Sequence, residues 1–148
     1  MAENLSRGRG SRRRGFRPGR GVQPPRFALE RNPIGSSATV VAVTGELDLY
    51  EVPKLDAALD EVETATRVVV DLAEATFVDS TALGSLVRAR RQLAERGCEL
   101  VLAVREPQIR KLFEVTGFDR LFRIFPSVDE AAEYVRSAAS KTPAPAAS

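Results

Sequence analysis

Two short segments of the sequence combine residue types that do more than pack. Gly45-Glu46-Leu47-Asp48 places two carboxylates around one apolar side chain, after a glycine that lets the chain leave a strand in an unusual conformation. In the second segment, Asp79, Ser80 and Thr81 come just before an apolar stripe of helical spacing, so one of them must lie at or next to the helix N-cap. A solvated turn would account for the first segment, and helix capping for the second.

The second segment would also tolerate a phosphate. The free amides and the dipole of a helix N-terminus favour negative charge, so phosphorylation of Ser80 need not unfold the helix. A phosphate adds about −1.5 to −2 charges at one point. The segment therefore predicts a capped helix start, at which Ser80 could bear a phosphate without unfolding of the helix.

These two segments need a scaffold, which the periodicity of the remaining sequence predicts. Short apolar and β-branched runs predict five strands, at residues 27–31, 39–44, 67–72, 99–104 and 121–125. Apolar residues at three- and four-residue steps predict four helices, at residues 52–62, 82–94, 107–115 and 128–138. The run at 67–72 lacks a regular polar alternation, which is typical of a central strand covered on both faces.

The order of these elements, β-β-α-β-α-β-α-β-α, predicts an α/β fold. Strands that alternate with helices are usually parallel neighbours, so we expect a mixed, mostly parallel sheet of about five strands with about four helices. In such sheets functional groups gather at the carboxyl ends of the strands, and both segments are expected there. Gly117 predicts the end of the third helix, and the Ser127/Glu130 pair predicts the start of the fourth.

Charge divides the chain of 148 residues into a basic tail and an acidic remainder. Residues 1–26 contain eight arginines and one glutamate, a net charge of +7, whereas the rest of the chain carries −5. The tail is rich in Arg, Gly and Pro, so we predict that it is disordered and that residues 27–140 form one domain, followed by a disordered end at residues 141–148. The tail is either a solubilising extension or a segment that binds nucleic acid through charge.

Composition argues against several classes of function. The chain has no histidine and one cysteine, and it lacks a glycine-rich phosphate loop and a Gly-x-Ser-x-Gly elbow. We therefore predict that it is not an enzyme and that it has no catalytic site, no cofactor and no metal. The apolar runs are far shorter than the ~20 residues of a membrane-spanning helix, so we expect a cytoplasmic protein that does not contact a membrane.

Three motifs together resemble the bacterial anti-sigma factor antagonists, which are STAS domains. They are Gly45-Glu46-Leu47-Asp48 after a hairpin, Asp79-Ser80-Thr81-Ala82-Leu83-Gly84 at the second helix, and Thr116-Gly117-Phe118-Asp119-Arg120-Leu121-Phe122 before the last strand. The resemblance covers roughly residues 27–140. It implies a protein that binds an anti-sigma factor serine/threonine kinase and so releases the sigma factor. It further implies that the kinase switches binding off by phosphorylating Ser80, and that a phosphatase restores it.

The resemblance also implies a role for each site residue. Ser80 is the phosphate acceptor, with Thr81 as the second choice. The partner-binding residues are Glu46, Asp48, Asp79, Ser80, Thr81, Leu83 and Gly84. The sequence departs from the family at Ala82, where glycine is usual, and we expect a methyl group there to hinder a kinase loop. One alternative, which rests on Ala82, is an unphosphorylated scaffold in a sensory assembly. The other, which rests on the arginine-rich tail, is nucleic-acid binding through residues 1–26.

Overall fold

The predicted order of strands and helices is confirmed in a computed structural model that describes residues 26–35, 38–62 and 67–138. The elements are β1 (Phe27–Ile34), β2 (Ala38–Leu47), α1 (Val52–Asp60), β3 (Arg67–Val78), α2 (Ser80–Glu95), β4 (Glu99–Ala103), α3 (Pro107–Thr116), β5 (Arg123–Phe125) and α4 (Val128–Ala138). A 3-10 turn at Phe118–Arg120 precedes β5. The predictions for residues 1–25 and 139–148 lie outside the described residues.

The strands form one sheet in the order β1-β2-β3-β4-β5. β1 is antiparallel to β2, and each later strand is parallel to the one before it. The predicted α/β class with a mixed, mostly parallel sheet is therefore confirmed. The outer strands are β1 and the three-residue β5, and β3 lies at the centre.

Alternation along β3 divides the core into two layers. Val68 and Val70 face the larger layer, which also contains the apolar faces of α1, α2 and α3. Val69 faces the opposite layer, where Ala131 and Val135 of α4 cover the sheet. All three valines are fully buried, as predicted for a central strand. Three helices on one face and one on the other thus hold the sheet from both sides.

The strand ends differ from the sequence prediction. β2 continues to Leu47 and β3 to Val78, and these two residues are their last pair. Gly45-Glu46-Leu47 was predicted to follow the strand, but it forms its final residues. The pairing shifts register between Ala42 and Thr44 and again between Gly45 and Glu46, so apolar alternation breaks where the strand continues. The last strand begins at Arg123 and not at residue 121, because the 3-10 turn ends only at its C-cap, Leu121.

Gly45 allows the start of β1 to lie unusually close to β2. Its φ angle is +91°, and a Cβ at this position would lie 2.2 Å from the carbonyl oxygen of Arg26. That carbonyl accepts a 2.7 Å hydrogen bond from the N–H of Glu46. Only glycine fits both the backbone conformation and the close approach, so Gly45 fixes where the N-terminal chain meets the sheet.

We expect Gly45→Ala to destabilise the fold more than Gly97→Ala. Gly97 also has a positive φ, +77°, but no neighbouring atom lies within 4 Å of an added Cβ. Gly97→Ala should cost only the left-handed backbone penalty of about 1–2 kcal/mol. Gly45→Ala should lower the free energy of unfolding by about 1–3 kcal/mol more, because β1 must move away. Urea denaturation of both variants measures this difference, and equal losses would contradict the close-approach explanation.

Candidate functional site

Parallel pairing brings the two predicted segments together. Because β2 and β3 run in the same direction and end as the pair Leu47 and Val78, Asp48 and Asp79 begin neighbouring loops. The N–H of Asp79 donates a 3.3 Å hydrogen bond to the carbonyl of Leu47. The predicted meeting of both segments at one edge of the sheet is confirmed.

Asp79 is the residue that caps α2. Its Oδ1 accepts a 3.0 Å hydrogen bond from the N–H of Ala82, and its Oδ2 accepts a 2.9 Å hydrogen bond from the N–H of Leu49. The first bond satisfies a free amide at the helix start, and the second joins the loop after β2 to the helix after β3. Asp79 therefore orients this site through both of its oxygens.

Asp48 organises its own loop in a similar way. Its Oδ1 accepts hydrogen bonds from the N–H groups of Tyr50, at 3.0 Å, and Glu51, at 3.3 Å. Its carbonyl oxygen accepts hydrogen bonds from Glu51 and Val52 and so begins the turn into α1. A short acidic side chain that bonds to the backbone two residues on is typical of a rigid turn. The loop is thus fixed at both of its ends.

Ser80 remains available because Asp79 does the capping. It is the first residue of α2, and its side chain is exposed, as is that of Thr81. Within residues 26–35, 38–62 and 67–138, the Ser80 hydroxyl has no hydrogen-bond partner. An exposed hydroxyl at the positive end of a helix can be modified without loss of a structural contact.

Exposed apolar side chains lie at the same end of the sheet as the hydroxyl, and the sequence did not predict them. Leu49 is 55% exposed, Tyr50 79% and Phe77 49%. Phe77 pairs with Glu46 across the ends of the two strands. The only sequence signal was that Leu49 and Tyr50 follow a carboxylate turn. We define the Ser80 surface as these nine residues: Glu46, Asp48, Leu49, Tyr50, Phe77, Asp79, Ser80, Thr81 and Gly84.

Leu83 does not belong to the Ser80 surface, although it was predicted to bind a partner. Its side chain is 1% exposed and packs in the core, because it lies on the inward face of α2 with Leu86. Ala82 is likewise fully buried, so its methyl group packs in the core and is not part of the exposed surface. An effect of Ala82 on phosphorylation stays a prediction. Gly84 is partly exposed, and a Cβ there would lie 3.7 Å from Nη1 of Arg88.

The carboxylates of Glu46 and Asp48 form a negatively charged edge of the Ser80 surface, which we call its rim. Arg26 reaches this rim, and its Nη2 donates a 2.9 Å hydrogen bond to Oε1 of Glu46. The pKa of the Arg26 guanidinium is raised, chiefly by this hydrogen bond and the charge of Glu46, and further by the charges of Asp48 and Glu51. One cation at the rim thus lies in the field of three carboxylates.

The third motif, at residues 116–122, lies at the other end of the sheet. β4 and β5 are parallel, so the connection between them must return to the amino ends of the strands. Within the motif, Gly117 ends α3 with a φ angle of +78°, as predicted. The ring of Phe122 packs edge-on against that of Phe113, with 6.1 Å between the ring centroids. This motif therefore serves the fold and is not part of the Ser80 surface.

The described residues contain no group of three or more His, Cys, Asp or Glu side chains that could hold a metal ion. None of their helices has both the length and the apolar character needed to cross a membrane.

Comparison with known proteins agrees with this geometry. A family model of the STAS domain matches residues 30–131. The anti-sigma-B factor antagonist of Listeria monocytogenes is 37% identical over 86 residues, which cover 57% of this chain and 75% of that protein. A crystal structure of an anti-sigma factor antagonist from Mycobacterium paratuberculosis is 27% identical with a TM-score of 0.69, covering 74% of this chain and 94% of the other. The Bacillus cell fate determinant SpoIIAA in its phosphorylated form has the same fold, at 22% identity and a TM-score of 0.60, covering 74% of this chain and 100% of the other.

We expect Asp79→Ala to destabilise the protein and Ser80→Ala to leave its stability nearly unchanged. Loss of the helix cap costs about 0.5–2 kcal/mol, and loss of the bond to Leu49 about another 1 kcal/mol. Ser80 makes no such bond among the described residues, so its truncation should stay within about 0.5 kcal/mol. Urea denaturation measures both changes, and amide exchange at Leu49 should accelerate only in Asp79→Ala. Equal stabilities would refute the bridging role of Asp79.

Proposed function

The chain belongs to the STAS domain family and, within it, to the anti-sigma factor antagonists, and from this membership we propose how it works. The protein binds an anti-sigma factor serine/threonine kinase through the Ser80 surface and so releases the sigma factor that the kinase holds. Phosphorylation of Ser80 by the same kinase ends this binding, and a phosphatase restores it. Its location in the cytoplasm and its lack of enzymatic activity remain predictions.

The observation that carries this proposal is the exposed Ser80 hydroxyl, which has no hydrogen-bond partner among the described residues. A serine that merely capped α2 would have its oxygen bonded to the backbone, but Asp79 has that role. The neighbouring apolar side chains of Leu49, Tyr50 and Phe77 are the kind of exposed group that marks a protein contact. SpoIIAA, a protein with this fold, has been solved in a phosphorylated form, which supports phosphorylation as a modification of this type of domain.

Charge and desolvation together explain why a phosphate would end binding. A phosphate brings about −1.5 to −2 charges to a surface that already contains Glu46, Asp48 and Asp79. An apolar contact around Tyr50 would have to exclude water from that charge, which is costly without a cationic partner. Each ~1.4 kcal/mol lost lowers the affinity tenfold, so a few disturbed contacts suffice. The loops are already held by Asp48 and Asp79, so no change of fold is required.

We predict that the kinase phosphorylates Ser80. Incubation of the full-length chain with ATP and each purified anti-sigma factor kinase of the source organism should add one phosphate, which mass spectrometry locates. Ser80→Ala should abolish this addition and Thr81→Ala should retain it, because only Ser80 is the proposed acceptor. Phosphate on Thr81 in the native chain would contradict the assignment to Ser80.

We also predict that Ser80→Asp and Tyr50→Ala each weaken kinase binding at least tenfold, whereas Ser80→Ala does not. The aspartate adds charge at the acceptor position, and the alanine removes the most exposed apolar side chain of the Ser80 surface. Val115→Ala is the matched control, since Val115 is 68% exposed but lies at the end of α3, at the opposite end of the sheet. Calorimetry measures the affinities. Equal losses for Tyr50→Ala and Val115→Ala would place the contact elsewhere.

A further inference from the structure

The N-terminal segment is attached at the edge of the Ser80 surface. β1 is antiparallel to β2, so its first residue, Phe27, pairs with Gly45 near the carboxyl end of β2. Arg26 is held there twice, since its carbonyl accepts from the N–H of Glu46 and its guanidinium donates to the Glu46 carboxylate. Residues 1–25 are therefore tethered beside the proposed phosphate acceptor and not at the opposite end of the sheet.

The chemistry of this segment complements the surface beside it. Residues 1–25 contain seven arginines and one glutamate. The Ser80 surface offers the carboxylates of Glu46 and Asp48 and the exposed rings of Tyr50 and Phe77. Guanidinium groups form paired hydrogen bonds with carboxylates and stack on aromatic rings, so arginine suits both kinds of group.

Distance does not prevent the contact. Arg20 is six residues from the fixed Arg26, and six extended residues span at most about 20 Å. Longer stretches of chain connect Arg26 to the next arginines, which are Arg17, Arg14, Arg13 and Arg12. Tethering raises the local concentration of a short segment to about the millimolar range, so even weak individual contacts are populated.

We propose that the arginine-rich segment at residues 1–25 occupies the Ser80 surface of its own chain. The segment is an intramolecular competitor that an incoming protein must displace. Docking of the segment depends only on the charges and rings of this chain, whereas its effect on a kinase rests on the proposed function. A partner for Ser80 would then meet a surface already partly covered by cations.

Nuclear magnetic resonance of the full-length chain tests this proposal. The comparison is between the native chain and a full-length variant in which the seven arginines of residues 1–25 are replaced by glutamine. We expect the amide resonances of Leu49, Tyr50 and Phe77 to differ between the two proteins. Resonances of Val115 and Leu121, exposed apolar residues near the opposite end of the sheet, should be the same and are the internal control.

Salt and a reciprocal variant make the test sharper. The differences should disappear at about 1 M salt, where charges are screened beyond about 3 Å. In full-length Glu46→Gln/Tyr50→Ala, the Nε–H signals of the tail arginines should move towards their high-salt positions. These substitutions lie on the surface, and the core does not depend on them.

The outcomes separate this proposal from its rivals. The proposal would be overturned if the resonances of Leu49, Tyr50 and Phe77 were identical in the native chain and the glutamine variant. Differences of equal size at Val115 and Leu121 would also overturn it. A third result would also overturn it: signals of the tail shift on addition of duplex DNA or RNA, while signals of the Ser80 surface are the same in both chains. That result would assign the tail to nucleic-acid binding. None of these measurements contains a kinase, and Ser80→Ala should keep the docking, so the proposed function can fail while this inference holds.

Discussion

The geometry of the site depends on one carboxylate, that of Asp79, which bridges two loops. One of its oxygens completes the start of α2, and the other holds the backbone at Leu49. This bridge adds a side-chain hydrogen bond to the strand pairing and core packing that already join the loop after β2 to the helix after β3. With it, the apolar side chains at residues 49 and 50 and the hydroxyl at residue 80 have a fixed relation to one another. The negative charge of Asp79 is also compensated locally, because it accepts from backbone amides at the positive end of a helix.

The sheet supplies the rigid base for this bridge. β3 is covered on both faces, and its parallel pairing with β2 continues to the last residue before each acidic loop. Two register shifts lie within that pairing, and Gly45 lets the N-terminal chain approach at the second one. Shifts of this kind turn side chains at the strand end away from the regular alternation, and here Phe77 is left exposed beside Glu46. The irregular part of the sheet and the candidate site are therefore the same place.

Much of the fold follows from local sequence rules. The uninterrupted valines of β3 indicated a central strand, Gly117 marked the end of α3, and Ser127 accepts from the N–H of Glu130 as its spacing predicted. The sequence did not reveal how far β2 and β3 extend, because the register shifts break the period on which strand prediction relies.

The site was predicted less completely than the fold. The meeting of Asp48 with Asp79 followed from parallel pairing, but any of three residues could have capped α2, and only the folded structure shows that Asp79 does so. Leu83 belongs to the same apolar stripe as Leu86, so helical period alone should have placed it inside. Exposure of Leu49, Tyr50 and Phe77 depends on tertiary packing, which no local pattern encodes. Phosphorylation of Ser80 remains a prediction, because it requires a kinase and is not determined by the contacts within this chain.

The two outer strands limit how this domain can meet another protein. β5 has only three residues, and β1 carries Pro33, which has no N–H to donate, beside the charged side chains of Glu30 and Arg31. Arg31 also forms a 3.0 Å ion pair with Glu61. Short, charged or proline-containing borders resist the addition of a foreign strand and so guard against aggregation. We therefore expect a partner to bind side chains at the carboxyl ends of the inner strands β2 and β3. The backbone of the outer strands β1 and β5 should gain no additional strand in any complex.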